Sequence, residues 1–224
     1  MHLNADFTLR ATAHAARMPW MPSPVAGVER KMLDRIGDEL ARATSIVRYA
    51  AASRFSPHVH GGGEEFLVLE GVFQDEDGDY PAGCYVRNPP QSRHAPRSAP
   101  GCVIFVKLWQ FDPADRTPLR LETNTLAARR ARPGVEAQAL YRDAREDVRI
   151  ETWAAGVRID FAPAGGIELF VLDGGFEEGG EAFARWSWLR LPAGAPLEAR
   201  AGSEGARVWV KEGHLSRPVA GPAR

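Results

Sequence analysis

Cysteine is almost missing from this chain: Cys84 and Cys102 are the only two in 224 residues. That excludes a disulfide framework and makes a reducing compartment the expectation. Long apolar runs are missing as well. Stretches such as residues 66–69 and 103–106 fall far short of the ~18–20 residues a membrane-spanning helix needs, so no membrane partner is expected. Residues 1–6, MHLNAD, show no basic start followed by an apolar stretch; no secretory leader is read there, and a cytoplasmic location is expected. Neither sign of charge is in excess. Lys+Arg is 28 against Asp+Glu 29, a net charge of −1, which gives no electrostatic reason for a nucleic-acid partner. Lysine is scarce, with Lys31, Lys107 and Lys211 against 25 arginines, a composition that points to a GC-rich bacterial genome.

Glycine (22) and proline (17) are plentiful, and they punctuate short runs rich in β-branched and aromatic residues. Residues 45–49, 65–69, 103–109, 150–153, 169–172 and 206–210 read as strands. Residues 29–40 and 125–132 have partial helical character, although the first reads equally well as strand, turn and strand. Asp75-Glu76-Asp77-Gly78-Asp79 lies between two strand-like runs and reads as a hairpin turn. Its acidity suggests calcium, but an EF-hand loop would need an earlier Asp where Phe73 stands and a late Glu that is missing.

The chain also repeats itself. At an offset of 103 residues, Gly62, Gly63, Glu65, Val68, Leu69 and Gly71 recur as Gly165, Gly166, Glu168, Val171, Leu172 and Gly174. Arg87 and Pro89 recur as Arg190 and Pro192. Two copies at this period do not make a solenoid; they make two tandem domains of similar fold. The polar, Pro-containing stretch 112–118 marks the join, so the expected domains are 1–115 and 116–224. Regularly spaced strands with turn signals favour sandwich or barrel architecture.

One constellation carries chemistry. In His58-Val59-His60 the two imidazoles share one face of a strand, because side chains alternate. Three glycines follow, then Glu64, whose parity matches Phe66 and Val68. A carboxylate on an apolar face needs a partner, because an unpaired buried charge is costly. His94 follows the turn-forming segment 88–93, NPPQSR. The four side chains, His58, His60, Glu64 and His94, make an N/O donor set for one divalent ion per chain, suited to Zn or Fe(II), with Mn, Ni or Cu(II) also compatible.

These residues carry a resemblance to the cupin superfamily. His58-x-His60, three residues, Glu64, six residues and Gly71 follow its first motif, except that Ala52 stands where the motif opens with Gly. Gly83, five residues, Pro89-Pro90-Gln91, two residues and His94 follow its second, with Gln91 in place of Gly. Gln91 is thereby asked to adopt a turn conformation easier for glycine. Residues 58–110 resemble more closely the cupin domain of ChrR-like anti-sigma factors. That resemblance implies an all-β fold of double-stranded β-helix (jelly-roll) barrels, here two in tandem, and a metal, zinc in ChrR, held by the two His, the Glu and the later His. ChrR proteins bind their sigma factor through a separate helical domain carrying its own His/Cys zinc ligands. No Cys precedes Cys84 here, so direct sigma-factor binding is not expected. A homodimer is expected by analogy with cupins.

In the second copy His58, His60, Glu64 and His94 fall on Phe161, Pro163, Ile167 and Leu197, so that domain is expected to bind no metal there. Tyr85, Arg87 and Trp109 are weighed as pocket-lining residues and read as core aromatics and an edge arginine. Lys107 and Lys211 read as snorkelling structural residues, His214 as a satisfied histidine, and Cys84 and Cys102 as buried small hydrophobes. Two functions compete. One is a metal-binding sensory, regulatory or small-ligand module. The other is an Fe(II) dioxygenase acting on a small diketone or hydroxy-ketone.

Overall fold

The computed structural model describes residues 1–38 and 40–216. Among them there is no α-helix; a single 3-10 turn, Ala15–Arg17, interrupts an otherwise all-β chain. No helix is long and apolar enough to cross a membrane among the described residues. The architecture is two tandem double-stranded β-helix barrels. The partly helical reading of residues 29–40 and 125–132 gives way to strands: Val28–Gly37 followed by Ala41–Tyr49, and Arg129–Arg132. Val28–Gly37 buries residues on both of its faces, which masks period-2 alternation, whereas Arg129–Arg132 is an exposed strand at the edge of its sheet.

The first unit comprises Met1–Ala5 and Pro19–Thr125. Its main sheet runs Val28–Gly37, Ala41–Tyr49, Cys102–Leu108, Glu64–Gln74, Cys84–Asn88 and Leu119–Glu122 in lateral order. Because Leu119–Glu122 pairs with Cys84–Asn88, this unit extends past the join expected at residue 115. Phe66, Val68, Val86, Ile104 and Val106 fill the barrel with Phe73 and Tyr80. Each such side chain contributes roughly 1.5–3 kcal/mol when removed from water. Glu64 lies on that same inner face by parity.

Gly71, which closes the first motif, has φ +71°, and a Cβ there would lie 2.1 Å from the Gly101 carbonyl oxygen. Its counterpart Gly174 has φ +63° and would meet the Gly205 oxygen at 2.3 Å. Both sit beside a register shift in the long central strand. The repeated glycine is therefore a repeated bulge, needed to bend that strand round the barrel.

Among the described residues the second unit comprises Asp6–Met18 and residues 126–216. Its sheet runs Arg129–Arg132, Val135–Arg142, Asp147–Trp153, Leu197–Glu212, Ile167–Glu178, Ser187–Leu191 and Ala11–His14. The last of these comes from the start of the chain and pairs with Ser187–Leu191, Ala11 opposite Arg190 through His14 opposite Ser187. Ion pairs fix it: Arg10 reaches Glu178 at 2.7 Å and Glu181 at 2.8 Å, and His14 Nε2 lies 2.7 Å from Glu181. Ile167, Leu197, Val171 and Leu189 form the core.

Candidate metal centre

The structure brings His58, His60 and His94 together so that one ring nitrogen from each lies within 4.8 Å of the others. His58 and His94 are direct partners in a two-stranded ribbon, His58–Val59 with Arg93–His94. The loop between them is closed by paired backbone bonds: the His60 amide donates to the Ser92 carbonyl and the Gln91 amide to the His60 carbonyl, both at 2.9 Å. His60 Nε2 and His94 Nε2 are 3.2 Å apart. Glu64 Oε2 stands 3.4 Å from each of them and accepts a hydrogen bond from Asn88 Nδ2 at 3.1 Å. All four sequence-predicted residues thus gather at one end of the first barrel. His60, Glu64 and His94 are buried there and His58 is exposed.

The far side of each ring is tied down. His58 Nδ1 faces the Ser56 carbonyl at 3.2 Å, His60 Nδ1 the Ser92 hydroxyl at 2.9 Å, and His94 Nδ1 the Asp75 carboxylate at 3.4 Å. A carbonyl and a carboxylate only accept, so Nδ1 carries the proton in His58 and His94, and Nε2 presents its lone pair inward. This is the arrangement that sets the tautomer of metal-binding imidazoles. Burial lowers the His60 pKa, with Glu64 opposing. Burial acts in the same direction on His94, but Asp75, Glu64 and Glu76 outweigh it and hold that ring above its ordinary value.

The donor set fits a cation. Ligands about 2.0–2.1 Å from one ion at tetrahedral angles stand about 3.4 Å apart, which is the spacing of His60, His94 and Glu64. Lone pairs crowded at such distances repel one another unless a positive charge sits between them.

Asp75 is the residue that the sequence did not single out. It lies in the acidic turn, which is indeed a hairpin, with Glu64–Gln74 paired to Asp79–Pro81. Its Oδ1 closes that turn, accepting from the Asp77 and Gly78 amides at 2.9 and 3.2 Å and from the Tyr80 hydroxyl at 2.9 Å. Its Oδ2 is then aimed at His94. Burial raises its pKa, but the hydrogen bonds from His94, Asp77 and Tyr80 prevail and the net shift is downward.

The glycines after His60 have a reason beyond turning the chain. Only Gly63 takes positive φ, +79°. A Cβ on Gly61 or Gly62 would lie 2.7 or 2.4 Å from the Trp109 indole. Trp109 is therefore the surface against which the ligand loop lies flat. The two positions where glycine is missing from the motifs do take left-handed backbone: Ala52 at φ +61° and Gln91 at φ +73°. That conformation costs a non-glycine residue roughly 1–2 kcal/mol. Gln91→Gly is expected to raise stability by about 0.5–1 kcal/mol, after the entropy of the more flexible unfolded chain is subtracted. Urea denaturation of both proteins checks this; an unchanged or lower midpoint contradicts it.

Other candidates lie elsewhere. Tyr85 and Arg87 pair with Leu67 and Glu65, on the sheet face opposite Glu64, so neither lines the site. The Tyr85 hydroxyl donates to Glu65, and Arg87 pairs with Asp115 at 2.8 Å. Lys107 and Lys211 are structural but do not snorkel: both are buried, Lys107 donating to Thr44 Oγ1 and Lys211 paired with Glu146, each at 2.9 Å. The alternating pattern hid polar partners already waiting inside. His214 is buried against Glu168 at 2.9 Å. Cys84 and Cys102 are free and buried. Burial pushes both thiols up, Cys102 to about 11, so neither has thiolate character.

In the second unit the equivalent positions hold apolar side chains. Phe161 and Leu197 are direct strand partners, as His58 and His94 are in the first. Ile167 and Leu197 join the core and Phe161 packs against it. The repeat has kept the geometry and exchanged the donors for hydrocarbon.

A cavity of about 180 Å³ opens beside the triad in the first unit, with His58 and Glu64 in its wall. Val47, Tyr49, Phe55, Val106 and Leu108 supply its apolar surface, and Arg30 and Arg35 also line it.

Residues 8–112 match the ChrR cupin-like domain family. No curated protein matches the sequence. Among solved structures, a candidate dioxygenase from Nostoc punctiforme superposes with a TM-score of 0.72 at 14% identity, over 100% of this chain and 87% of that one. Protein Ylba from Escherichia coli gives 0.70 at 12% identity, over 93% of both chains. The pirin YhhW from Escherichia coli, solved with nickel(II), gives 0.64 at 14% identity, over 91% of this chain and 98% of that one. At such identities these likenesses speak for the fold.

Proposed function

We propose, on the premise that this chain is a two-barrel protein of the cupin superfamily, that its first barrel is a metal-dependent site for a small molecule. His58, His60 and His94 hold one divalent ion through Nε2, with Glu64 as the fourth ligand, and the second barrel is a metal-free structural partner. The observation that carries this reading is the convergence of one ring nitrogen from each of three histidines whose Nδ1 atoms are all anchored. The adjoining cavity favours an open centre over a closed structural one, because a purely structural site has no use for a side pocket.

A bound divalent ion supplies Lewis acidity there and, if it is iron, electron exchange with oxygen. The chain's own residues do the rest. Ser56, Ser92 and Asp75 orient the imidazoles, and the Ser56 carbonyl and the Asp75 carboxylate fix the protons of His58 and His94 on Nδ1. Asn88 holds the Glu64 carboxylate. Tyr49, Phe55 and Val106 exclude water from one side of the bound molecule. Two uses remain for such a site: reversible ligand binding in a sensory or regulatory role, and turnover as an Fe(II) dioxygenase. The second is supported by the cavity beside the ligands and by the structural kinship with a candidate dioxygenase.

The test is metal content and identity in protein purified without oxygen or added metal. About one ion per chain is expected. Iron, with oxygen uptake in the presence of a small diketone, assigns the dioxygenase use, and a metal-bound protein that takes up no oxygen assigns the binding use. A wild-type chain that holds no divalent ion even when loaded overturns the proposal.

A further inference from the structure

We infer that the cavity beside the triad receives a small carboxylate, and that Arg30 and Arg35 hold its anionic end. This rests on the metal-centre reading above and adds the substrate class to it.

Strict alternation would put Arg30 and Arg35 on opposite faces of strand Val28–Gly37, because they differ by an odd number. The register shows why they do not. Arg30 pairs with Val47 and Met32 with Ser45, but the pairing then slips between Met32 and Asp34, so that Arg35 falls opposite Ala43. This bulge returns Arg35 to the inner face, the one presented by Ala43, Ser45 and Val47. Both arginines consequently line the cavity with His58 and Glu64. Arg35 even shares a cross-strand row with the metal-site carboxylate: Arg35 opposite Ala43, Ala43 opposite Leu108, Leu108 opposite Glu64.

Charge then selects the ligand. Arg30, Arg35 and Glu64 are the Arg and Glu residues among those that line the cavity. A guanidinium has five N–H donors, enough to offer a pair to an incoming carboxylate while keeping a partner in the protein, and a divalent ion at the triad would add positive charge on the same side. Guanidinium presents a planar fork of donors that matches a carboxylate. A cavity of about 180 Å³ is smaller than the roughly 300–1,000 Å³ typical of pockets for larger ligands. The occupant is accordingly a short acid, with its carboxylate towards the arginines and its remaining oxygen-bearing end towards the triad.

The test compares acetoacetate with acetylacetone, which are nearly equal in size and both offer two oxygens to a metal but differ in the carboxylate. Affinities are measured by titration calorimetry on the metal-loaded full chain, with metal content read separately by mass spectrometry. Wild type is expected to favour acetoacetate at least tenfold. Arg30→Met and Arg35→Met are each expected to weaken acetoacetate by tenfold or more, the usual size for a lost charged hydrogen bond. Acetylacetone binding and one metal per chain stay unchanged, and Arg30→Lys restores part of the loss. Equal affinity for the two probes, or unaltered acetoacetate affinity in both Met variants, overturns the inference. If Arg35→Met fails to fold by circular dichroism, the two Arg30 variants decide. A chain without metal would defeat the metal-centre reading only. Butyrate, which does not chelate, is then titrated into the same variants, and indifference to Arg30→Met overturns the arginine grip.

Discussion

Replacing His60 by Ala is expected to reduce bound metal from about one ion per chain to background. His60 is the central donor: its Nε2 is 3.2 Å from that of His94 and 3.4 Å from Glu64. It is also buried, so a water molecule cannot simply take its place in a site that stays ordered. The loss of one of three imidazoles should weaken affinity by more than about a hundredfold, since removing even an outer-sphere partner costs about 10–100-fold. The control is Phe161→Ala, at the equivalent strand position of the other barrel. It should leave metal content intact while lowering stability, because Phe161 packs on that barrel's core. Metal analysis by mass spectrometry on both variants decides. Equal occupancy in His60→Ala and wild type would refute the ligand assignment.

Asp75→Asn gives the second large effect. The Asp75 carboxylate spends one oxygen on the hairpin and the other on His94 Nδ1. The amide can still accept from the turn through its oxygen, so the hairpin survives. What disappears is the negative charge behind His94, and with it the push that makes its Nε2 a better donor. Metal affinity is expected to fall by about 10–100-fold, with the ion retained at high concentration. A competition titration against a chelating indicator measures this. A Kd within twofold of wild type would show that His94 is oriented without Asp75. Asp75→Leu should do worse than Asn, because the Tyr80 hydroxyl and the Asp77 and Gly78 amides would lose their acceptor as well.

The candidate ligands were legible in the sequence as a cluster because their signals are local. His-x-His, a following Glu and a Pro-rich turn before a third His each fix a direction over a few residues, and strand alternation does the rest. Glu64 was readable for the opposite reason, as a charge out of place on an apolar face. The motif departures were readable too: Ala52 and Gln91 stand where glycine was called for, and both do take left-handed backbone.

Asp75 was hidden because a turn already explained it. An acidic Asx turn is so common that a second task for the same carboxylate leaves no mark in the pattern. Arg30 and Arg35 were hidden by the bulge: strict alternation would have put them on opposite faces, and the slip that brings them together also left residues 29–40 looking partly helical. Strand Ala11–His14 has no local signal at all, since nothing near it in sequence says that its neighbour is Ser187–Leu191.

That last pairing bears on how the molecule is made. The bond between His14 and Ser187 spans 173 residues of chain. On the ribosome the segment that completes the second barrel emerges before the strand it pairs with and must wait, unpaired, while the residues between them are synthesised. Contacts this remote are late and slow to form. Among the described residues Ala11–His14 is the strand that covers this edge of Ser187–Leu191, so a nascent chain that loses residues 6–18 leaves that edge without its cover.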